Sequence, residues 1–243
     1  MEWRDQGIII GTRKHGETSL IVELMTAEHG RHLGLVRGGR SRKMQPVLQP
    51  GNRVEAVWRA RIDEHLGTYA IEPLQMTAAR LMESAVGVNG IQLLGSHLRL
   101  LPERDPHQEL YAALDVLISH LSEPQIVGPL MVKFELRLLD ELGFGLNLEN
   151  CAGNGTRENL IYVSPKSGQA VSAAAGEPWS DKMLPLPRFL TLTADRNCSA
   201  DDLSDAFFML SHFYNRDVYH PRGIEQPESR MGFLNAALKA MRA

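Results

Sequence analysis

The stretch from Arg31 to Arg61 concentrates the groups in this sequence that are best suited to bind a charged ligand. It holds eight basic residues and one acidic residue, Glu55, although the 243-residue chain has a formal net charge of −3. Clustered positive charge raises the local potential and attracts polyanions, of which nucleic acid is the commonest. The alternative is a solvated hairpin whose charges serve only solubility. The candidate contacts are Arg31, Arg37, Arg40, Arg42, Lys43, Arg53, Arg59 and Arg61.

Short strand patterns in the first 75 residues must position these side chains. They cover residues 7–13, 18–26, 31–37, 51–61 and 65–72, and Pro73 is expected to end the last. In the fourth pattern Val54, Ala56 and Trp58 fall on one face, with Arg59 and Arg61 on the other. Five short strands without helical periodicity favour a small antiparallel barrel. The OB-fold is the five-stranded candidate, and its sheet face commonly binds oligonucleotides.

The basic loop and two aromatic residues refine this interpretation. Gly38 and Gly39 would let the loop backbone approach a phosphate chain closely. Trp58 is expected in the core by alternation, whereas Tyr69 is the better candidate for stacking on a base. Because so few aromatic residues occur here, we expect phosphate contacts without strong sequence specificity.

Helical periodicity replaces the strand patterns after residue 76. The sequence predicts an α+β protein with a barrel domain at 1–76 and a helical domain at 77–243. We expect a solvated ion-pair face that joins Glu135 and Glu141 to Lys133 and Arg137. The predicted helices are 77–101, 108–121 with a cap at Asp105, 130–142 after Pro129, 203–219 after a cap at Asp201 and Asp202, and a last helix from Pro227 to Met241.

An irregular insert at 145–187 interrupts the helices. It contains two strand-like pieces, 160–163 and 170–172, joined by a tight turn, a shape that often carries structural zinc. Tetrahedral zinc needs about four Cys or His ligands, but Cys151 stands alone and no histidine lies between His120 and His212. We therefore predict a degenerate zinc-knuckle-like insert without metal or cofactor, in which Cys151 is a small buried apolar residue.

Signatures of catalysis and of membrane insertion do not occur in the sequence. It has no phosphate-binding loop, dinucleotide fingerprint, nucleophile elbow or metalloprotease motif. It also has no apolar run of about 18 residues and no N-terminal secretory pattern. We therefore expect a cytosolic protein that is not an enzyme.

In their order and spacing, several strings resemble those of the RecO family, a group of bacterial recombination mediators. The resemblance covers nearly the whole chain. It departs from the family at the insert, where some members have two cysteine pairs and this chain keeps only Cys151. The strings are GIII at 7–10, HGETSL at 15–20, TAEHGR at 26–31, VRGGRSR at 36–42, LQP at 48–50, FELRLLDELGF at 134–144, YVSPKSG at 162–168 and LPLP at 184–187.

The resemblance implies a non-enzymatic role in DNA repair. RecO-like proteins bind single- and double-stranded DNA, anneal complementary strands, pair with RecR, and help RecA load onto DNA covered by single-stranded DNA-binding protein (SSB). It implies a cytoplasmic, nucleoid-associated protein. It also implies that the helical domain captures the acidic SSB tail, with Lys133, Arg137, Leu130 and Phe134 as candidates.

The residues alone are also compatible with two other functions. The barrel could bind RNA rather than DNA. Alternatively, the chain could be a structural adaptor that acts mainly through its helical domain.

Overall fold

The structure, a computed structural model, describes residues 1–191 and 197–242. It divides into two compact units, Met1–Ser122 and Glu123–Ala243. The last barrel strand ends at Gln75, whereas the first compact unit continues to Ser122. The predicted domain boundary at residue 76 stays a prediction, and residues 192–196 and 243 of the predicted second domain lie outside the described part.

A closed five-stranded barrel begins the first unit, in the strand order β1-β2-β3-β5-β4. Neighbouring strands pair antiparallel except β3 and β5, which meet in parallel at Leu35 and Thr68. The predicted OB-fold barrel, and with it the α+β class, is confirmed. The strands are β1 (Glu2–His15), β2 (Ser19–Thr26), β3 (Gly30–Val36), β4 (Arg53–Arg59) and β5 (Thr68–Gln75).

Strand β5 continues through Pro73, so the prediction that this proline ends the strand is wrong. The pairing of β4 with β5 slips between Arg53 and Val54, and Pro73 lies opposite Val54 at this irregular step. Proline has no N–H to donate to a ladder and is tolerated at such bulges.

The barrel core follows the alternation in β4. Val54, Ala56 and Trp58 are fully buried, as predicted. Leu48, which belongs to the loop between β3 and β4, joins the same core. That loop is therefore anchored to the barrel by its own apolar residues.

The predicted helix 77–101 is wrong as one element, because the chain breaks between α1 (Ala78–Leu81) and α2 (Ala85–Leu98). Thr77 does not cap α1 with its side chain but donates its hydroxyl to the Gly51 carbonyl. Ser84 caps α2, since its Oγ accepts a hydrogen bond from Gly87 N at 3.0 Å. At Gly87 an added Cβ would lie 2.1 Å from the Leu81 carbonyl oxygen, so the two helices meet too closely for a side chain there.

Two other helix starts differ from the predictions. Helix α3 (Gln108–His120) begins after His107, so Asp105 is not its cap. Helix α4 (Pro124–Glu141) starts six residues before the predicted position 130 and carries Pro129 inside it. A proline within a helix removes one backbone donor without necessarily ending the helix.

The C-terminal helices follow the predictions more closely. Helix α6 (Ala200–Phe213) is capped by Ser199, which forms a reciprocal capping box with Asp202, rather than by the predicted Asp201-Asp202 pair. A π-helical stretch, Tyr214–Tyr219, leads into α7 (His220–Arg222). Helix α8 (Glu228–Met241) begins directly after Pro227, as predicted. None of the helices in residues 1–191 and 197–242 is long and apolar enough to cross a membrane.

The insert contains both predicted strands, β6 (Leu160–Val163) and β7 (Ala170–Ser172). The short helix α5 (Ala173–Gly176) follows them. A third short strand, β8 (Leu184–Pro185), pairs with the free side of β6 and was not predicted. The turn between β6 and β7 closes where Gly168 N donates to the Ser164 carbonyl at 2.9 Å.

A buried ion pair joins α4 to α8 in the core of the second unit. Glu135 and Arg230 are both fully buried, and two guanidinium nitrogens meet the two carboxylate oxygens at 2.9 and 2.8 Å. Arg230 also donates to Ser211 Oγ at 2.5 Å and to the Phe207 carbonyl at 3.2 Å. The predicted solvated face is therefore wrong for Glu135, whereas Arg137 does pair with Glu141, at 2.9 Å.

Candidate nucleic-acid interface

The basic loop between β3 and β4 is a compact turn fixed at both ends. Its backbone closes on itself, with Met44 N and Gln45 N donating to the Ser41 carbonyl and Leu48 N to the Met44 carbonyl. Gly38 adopts a φ of +66° with open space around it, but Gly39 is buried against Leu48. The expectation that both glycines face a ligand is therefore wrong for Gly39, which serves packing.

Arg40 fastens this loop to the β1–β2 hairpin. Its backbone N–H donates to the Thr18 carbonyl at 3.0 Å, and its Nη1 donates to the Glu17 carbonyl at 2.5 Å. The guanidinium of Arg40 is exposed even though it makes these contacts. Arg40 thus positions the loop and can add charge to its surface.

Arg37, Arg42 and Lys43 are the loop residues with free cationic groups. All three side chains are exposed, and none has a hydrogen bond or ion pair to any residue that the structure describes. Their charges are therefore available to solvent or to an anionic ligand.

Arg37 and Arg59 come together at one end of the barrel. Strand pairing places Arg59 opposite Thr68 and Thr68 beside Leu35, two residues before Arg37. A shallow cleft of about 240 Å³ lies there. It is lined by Arg37, Val57, Arg59, Thr68, Tyr69 and Ala70.

Arg59 is the one member of this cleft pair with an acidic neighbour. Its Nη2 lies 2.9 Å from Glu2 Oε1, and both side chains are more than half exposed. The hydrogen bond from Arg59 lowers the pKa of Glu2, and the same contact raises the pKa of Arg59. Because water screens exposed pairs strongly, a phosphate can compete with Glu2 for this guanidinium.

Arg61 lies on the β4–β5 loop, which Arg104 holds in place. Arg104 donates through Nη2 to the His65 carbonyl at 2.8 Å and through Nη1 to the Asp63 carbonyl. Its guanidinium carbon also lies 5.7 Å from the centre of the Trp58 ring. Arg61 is exposed and has no partner among residues 1–191 and 197–242. Sequence reasoning missed Arg104, because nothing local links it to a loop some forty residues earlier.

Arg31 and Arg53 are held by acidic groups of the first unit. Arg31 donates to Glu23 at 2.7 Å, and its side chain is only 12% exposed. Arg53 pairs with Asp115 and donates to the Asp115 carbonyl and to Ser119 Oγ at 2.8 and 2.9 Å. That these two arginines bind nucleic acid stays a prediction, but the structure gives each of them a structural task.

The aromatic residues Trp58 and Tyr69 lie inside the barrel, whereas Trp3 is half-buried. Trp58 is fully buried, as predicted. Tyr69 is only 5% exposed, and its hydroxyl lies 2.9 Å from His32 Nδ1. The expectation that Tyr69 stacks on a base is therefore wrong, because Trp3, at 5.9 Å between ring centres, and His32 surround its ring. Burial lowers the pKa of His32 to about 4, and the Arg104 cation acts in the same direction.

The four residues predicted to bind a partner tail are not all on the surface of α4. Phe134 is 1% exposed and belongs to the core of the second unit, and Leu130 is half-buried. Arg137 is engaged with Glu141 at 2.9 Å and Asp140 at 3.7 Å. Lys133 is exposed and has no partner among the described residues.

Cys151 lies in a polar pocket of the insert that does not suit zinc. Its Sγ accepts hydrogen bonds from Ser172 N at 3.2 Å and Gly153 N at 3.4 Å. Burial acts to raise the pKa of this thiol, but hydrogen bonds from Ser172, Gly153 and Asn154 lower it to about 7. Cys151 is buried as predicted, yet it is not a purely apolar residue.

Among the described residues, no further zinc ligands lie around this thiol. Ser172 and Gly153 surround the sulfur where further ligands would be needed. Within residues 1–191 and 197–242 no three His, Cys, Asp or Glu side chains are grouped closely enough to hold a metal.

Comparison with known proteins agrees with the barrel and the helical part alike. Residues 1–76 match the family model described as Recombination protein O N terminal, and residues 97–223 match Recombination protein O C terminal. The chain belongs to the RecO family.

Its relatives in this family are named DNA repair protein RecO. The chain is 62% identical to that of Mesorhizobium japonicum and 59% identical to that of a Chelativorans species, each over 98% of this chain and 94% and 96% of the relative. It is 57% identical to the Brucella abortus protein over 99% of this chain and 98% of the relative.

Proposed function

We propose that this RecO-family chain is a non-enzymatic DNA-binding recombination mediator whose barrel holds single-stranded DNA through its phosphates. The observation that carries the proposal is the set of exposed, unpaired cations, among the described residues, at one end of the barrel. Arg37, Arg42 and Lys43 lie on the β3–β4 loop, which its own apolar residues anchor to the barrel. Arg61 lies on the β4–β5 loop, which Arg104 holds in place. Arg37 also shares a cleft with Arg59.

Such an arrangement suits strand annealing better than sequence recognition. Phosphate contacts fix a strand on a protein without reading its bases. Annealing requires two polyanions to be held side by side, so positive charge must neutralise several phosphates at once. The burial of Trp58 and Tyr69 leaves the cleft without an aromatic platform for base-specific stacking.

The direct test is a binding titration with a fluorescent 30-nucleotide strand at low salt. Arg37→Ala, Arg42→Ala and Lys43→Ala combined should weaken binding at least about tenfold, since several charge-assisted contacts are lost. A control variant with Lys166→Ala, Lys182→Ala and Lys239→Ala removes the same charge from exposed positions of the second unit. It should bind like the parent protein.

The same titration separates the two alternatives. An RNA strand of equal length that binds more than about tenfold tighter than DNA would favour an RNA-binding barrel. Equal binding by the parent and the loop variant would favour an adaptor that acts through its helices. Either result would overturn the proposal.

The proposed partners are RecR, SSB and, indirectly, RecA. For the acidic SSB tail we keep α4 as the receptor and narrow the cationic contact to Lys133, because Arg137 is already paired and Phe134 is buried. In a calorimetric titration with a tail peptide, Lys133→Ala should weaken binding by more than about 1 kcal/mol. Lys166→Ala is the matched control, and unchanged binding by Lys133→Ala would remove α4 from the proposal.

A further inference from the structure

A second cleft lies on the outer face of β1, β2 and β3. Its volume is about 350 Å³. Strand pairing places Gly11 opposite Glu23 and Glu23 opposite Leu33, so one row of residues across three strands forms its floor. None of its lining residues belongs to the proposed DNA contacts. They are Gly11, Thr12, Arg13, Ile21, Glu23, Leu33 and Arg99.

Arg99 packs closely against this floor because Gly11 has no side chain. A Cβ at Gly11 would be 2.2 Å from Arg99 Nη2. Arg99 Nε and Nη2 hold the Glu23 carboxylate at 2.8 and 2.7 Å. Its Nη1 has no hydrogen-bond partner in the described part of the chain, and 47% of the side chain is exposed. One edge of a fixed guanidinium therefore faces the cleft.

The cleft carries an excess of positive charge. Arg31 also donates to Glu23, at 2.7 Å, and lies 3.7 Å from Glu103, so the guanidinium groups of Arg31 and Arg99 are balanced by these two carboxylates. Arg13 adds an exposed cation that has neither an ion pair nor a hydrogen bond to the residues described. An anionic ligand would thus meet Arg99 Nη1 and Arg13 together.

The floor beside these cations is apolar. Ile21 is 6% exposed and Leu33 is half-buried, and both line the cleft. A carboxylate matches the planar guanidinium fork, while a neighbouring apolar side chain can cover Ile21 and Leu33. None of the seven lining residues is aromatic, and two cations form a poor track for a chain of phosphates. These features favour a peptide over a nucleic acid.

We propose that this cleft is a binding site for an acidic peptide segment. It takes one carboxylate on Arg99 and Arg13 and an adjacent apolar side chain on Ile21 and Leu33. The site shares no lining residue with the proposed DNA contacts or with the proposed receptor on α4.

The test is an NMR titration of the isotope-labelled full-length protein with an N-acetylated hexapeptide of alternating Leu and Glu. The peptide is used with an amidated and with a free C-terminus, which separates side-chain carboxylates from a terminal carboxylate. Amide signals of Gly11, Thr12 and Leu33 should shift with it. They should not shift with the same peptide carrying Gln in place of Glu.

Matched variants locate the site. Arg13→Gln should weaken peptide binding about tenfold, and because Arg13 has no partner among the described residues, this change should leave the fold intact. Lys14→Gln, at the adjacent exposed position of β1, should bind the peptide like the parent. Arg99→Gln should abolish the shifts, although it also removes a partner of Glu23.

Three outcomes would overturn the proposal. The first is that no shifts occur at the cleft, and the second is that Arg13→Gln and Lys14→Gln weaken binding equally. The third is that a DNA strand shifts the same amides and displaces the peptide, which would assign the cleft to nucleic acid. Because the probe contains no nucleic acid, the first two results leave the proposed DNA surface untouched.

Discussion

The buried residue His32 makes the stability of the barrel depend on pH. It lies inside the barrel, 2% exposed, between the rings of Trp3 and Trp58 at 5.0 Å each. Its pKa is lowered to about 4, first by burial and then by Arg104, whereas an unfolded histidine titrates near pH 6.5. The folded barrel therefore holds the neutral imidazole, and the unfolded chain binds a proton first as the pH falls.

This shift predicts a pH-dependent stability with a definite sign. The stability linked to neutral His32 is fully present above about pH 6.5 and is lost as the pH falls towards 4. The loss should be on the order of 3 kcal/mol in the free energy of unfolding. Urea unfolding of the parent and of His32→Gln at several pH values measures it, and the variant should lack this component. An imidazole that titrates near 6.5 by NMR in the folded protein would contradict the prediction.

The buried pair of Glu135 and Arg230 leads to a second prediction at this scale. Arg230→Met should lower the free energy of unfolding by about 3–5 kcal/mol, because Glu135 is left buried without its cation. The double change Glu135→Leu and Arg230→Met should recover most of that loss. Urea unfolding followed by circular dichroism gives both values. If the double variant is as unstable as the single one, the two residues do not act as a pair.

Residues differ in how far the sequence reveals their surroundings. The alternation of apolar residues along β4 predicted the burial of Trp58 correctly, because the residues that set the pattern lie on the same strand. Glu135 could not be assigned in this way, since its partner lies 95 residues away. Tyr69 was misjudged for the same reason, because its hydrogen-bond partner His32 lies on another strand.

At the scale of elements, the β4–β5 loop depends on Arg104. Trp58 Nε1 donates to the Leu66 carbonyl at 3.0 Å, and Leu35 N donates to the Gly67 carbonyl at 3.1 Å, so the end of the loop near β5 is fixed by the barrel. Its middle is held by Arg104 through the Asp63 and His65 carbonyls. Arg104 thus positions the loop that carries Arg61.

Removing Arg104 should loosen the middle of the β4–β5 loop. In Arg104→Ala, backbone amides of residues 62–65 should exchange with deuterium faster than in the parent, since local opening becomes easier. DNA binding should weaken less than in Arg61→Ala. Arg80→Ala, which removes a contact to the Ser119 carbonyl, is the control and should leave the loop unchanged. Unchanged amide exchange at residues 62–65 in Arg104→Ala would contradict the claim that Arg104 holds this loop.

Elements were predicted well where one local pattern decides them and poorly where tertiary contacts do. The barrel strands and the helix after Pro227 were predicted from hydrophobic periodicity and from the positions of glycine and proline. The break before α2 depends on the close approach of Gly87 to Leu81, which sequence spacing does not reveal. The run of α4 through Pro129 likewise overrides a local signal that would have placed the helix start later.

At the scale of the whole molecule, the distribution of charge matters more than its total. The chain is acidic overall, with a formal net charge of −3. The barrel nevertheless presents Arg37, Arg42, Lys43 and Arg61 without partners among the described residues. The sequence predicted this concentration, but it could not show that Arg31 and Arg53 are held by internal carboxylates. Those contacts decide which of the eight cations are free to bind.

The salt dependence of DNA binding tests the central claim most directly, namely that free cations of the barrel loop neutralise phosphates. Affinity for a single strand should fall linearly in a plot of log K against log salt concentration, with a slope that changes by about 0.7 for each contact. The combined Arg37, Arg42 and Lys43 alanine variant should therefore have a slope shallower by about 2, while the control with Lys166, Lys182 and Lys239 changed keeps the parent slope. A correctly folded loop variant with the parent's slope would contradict the account.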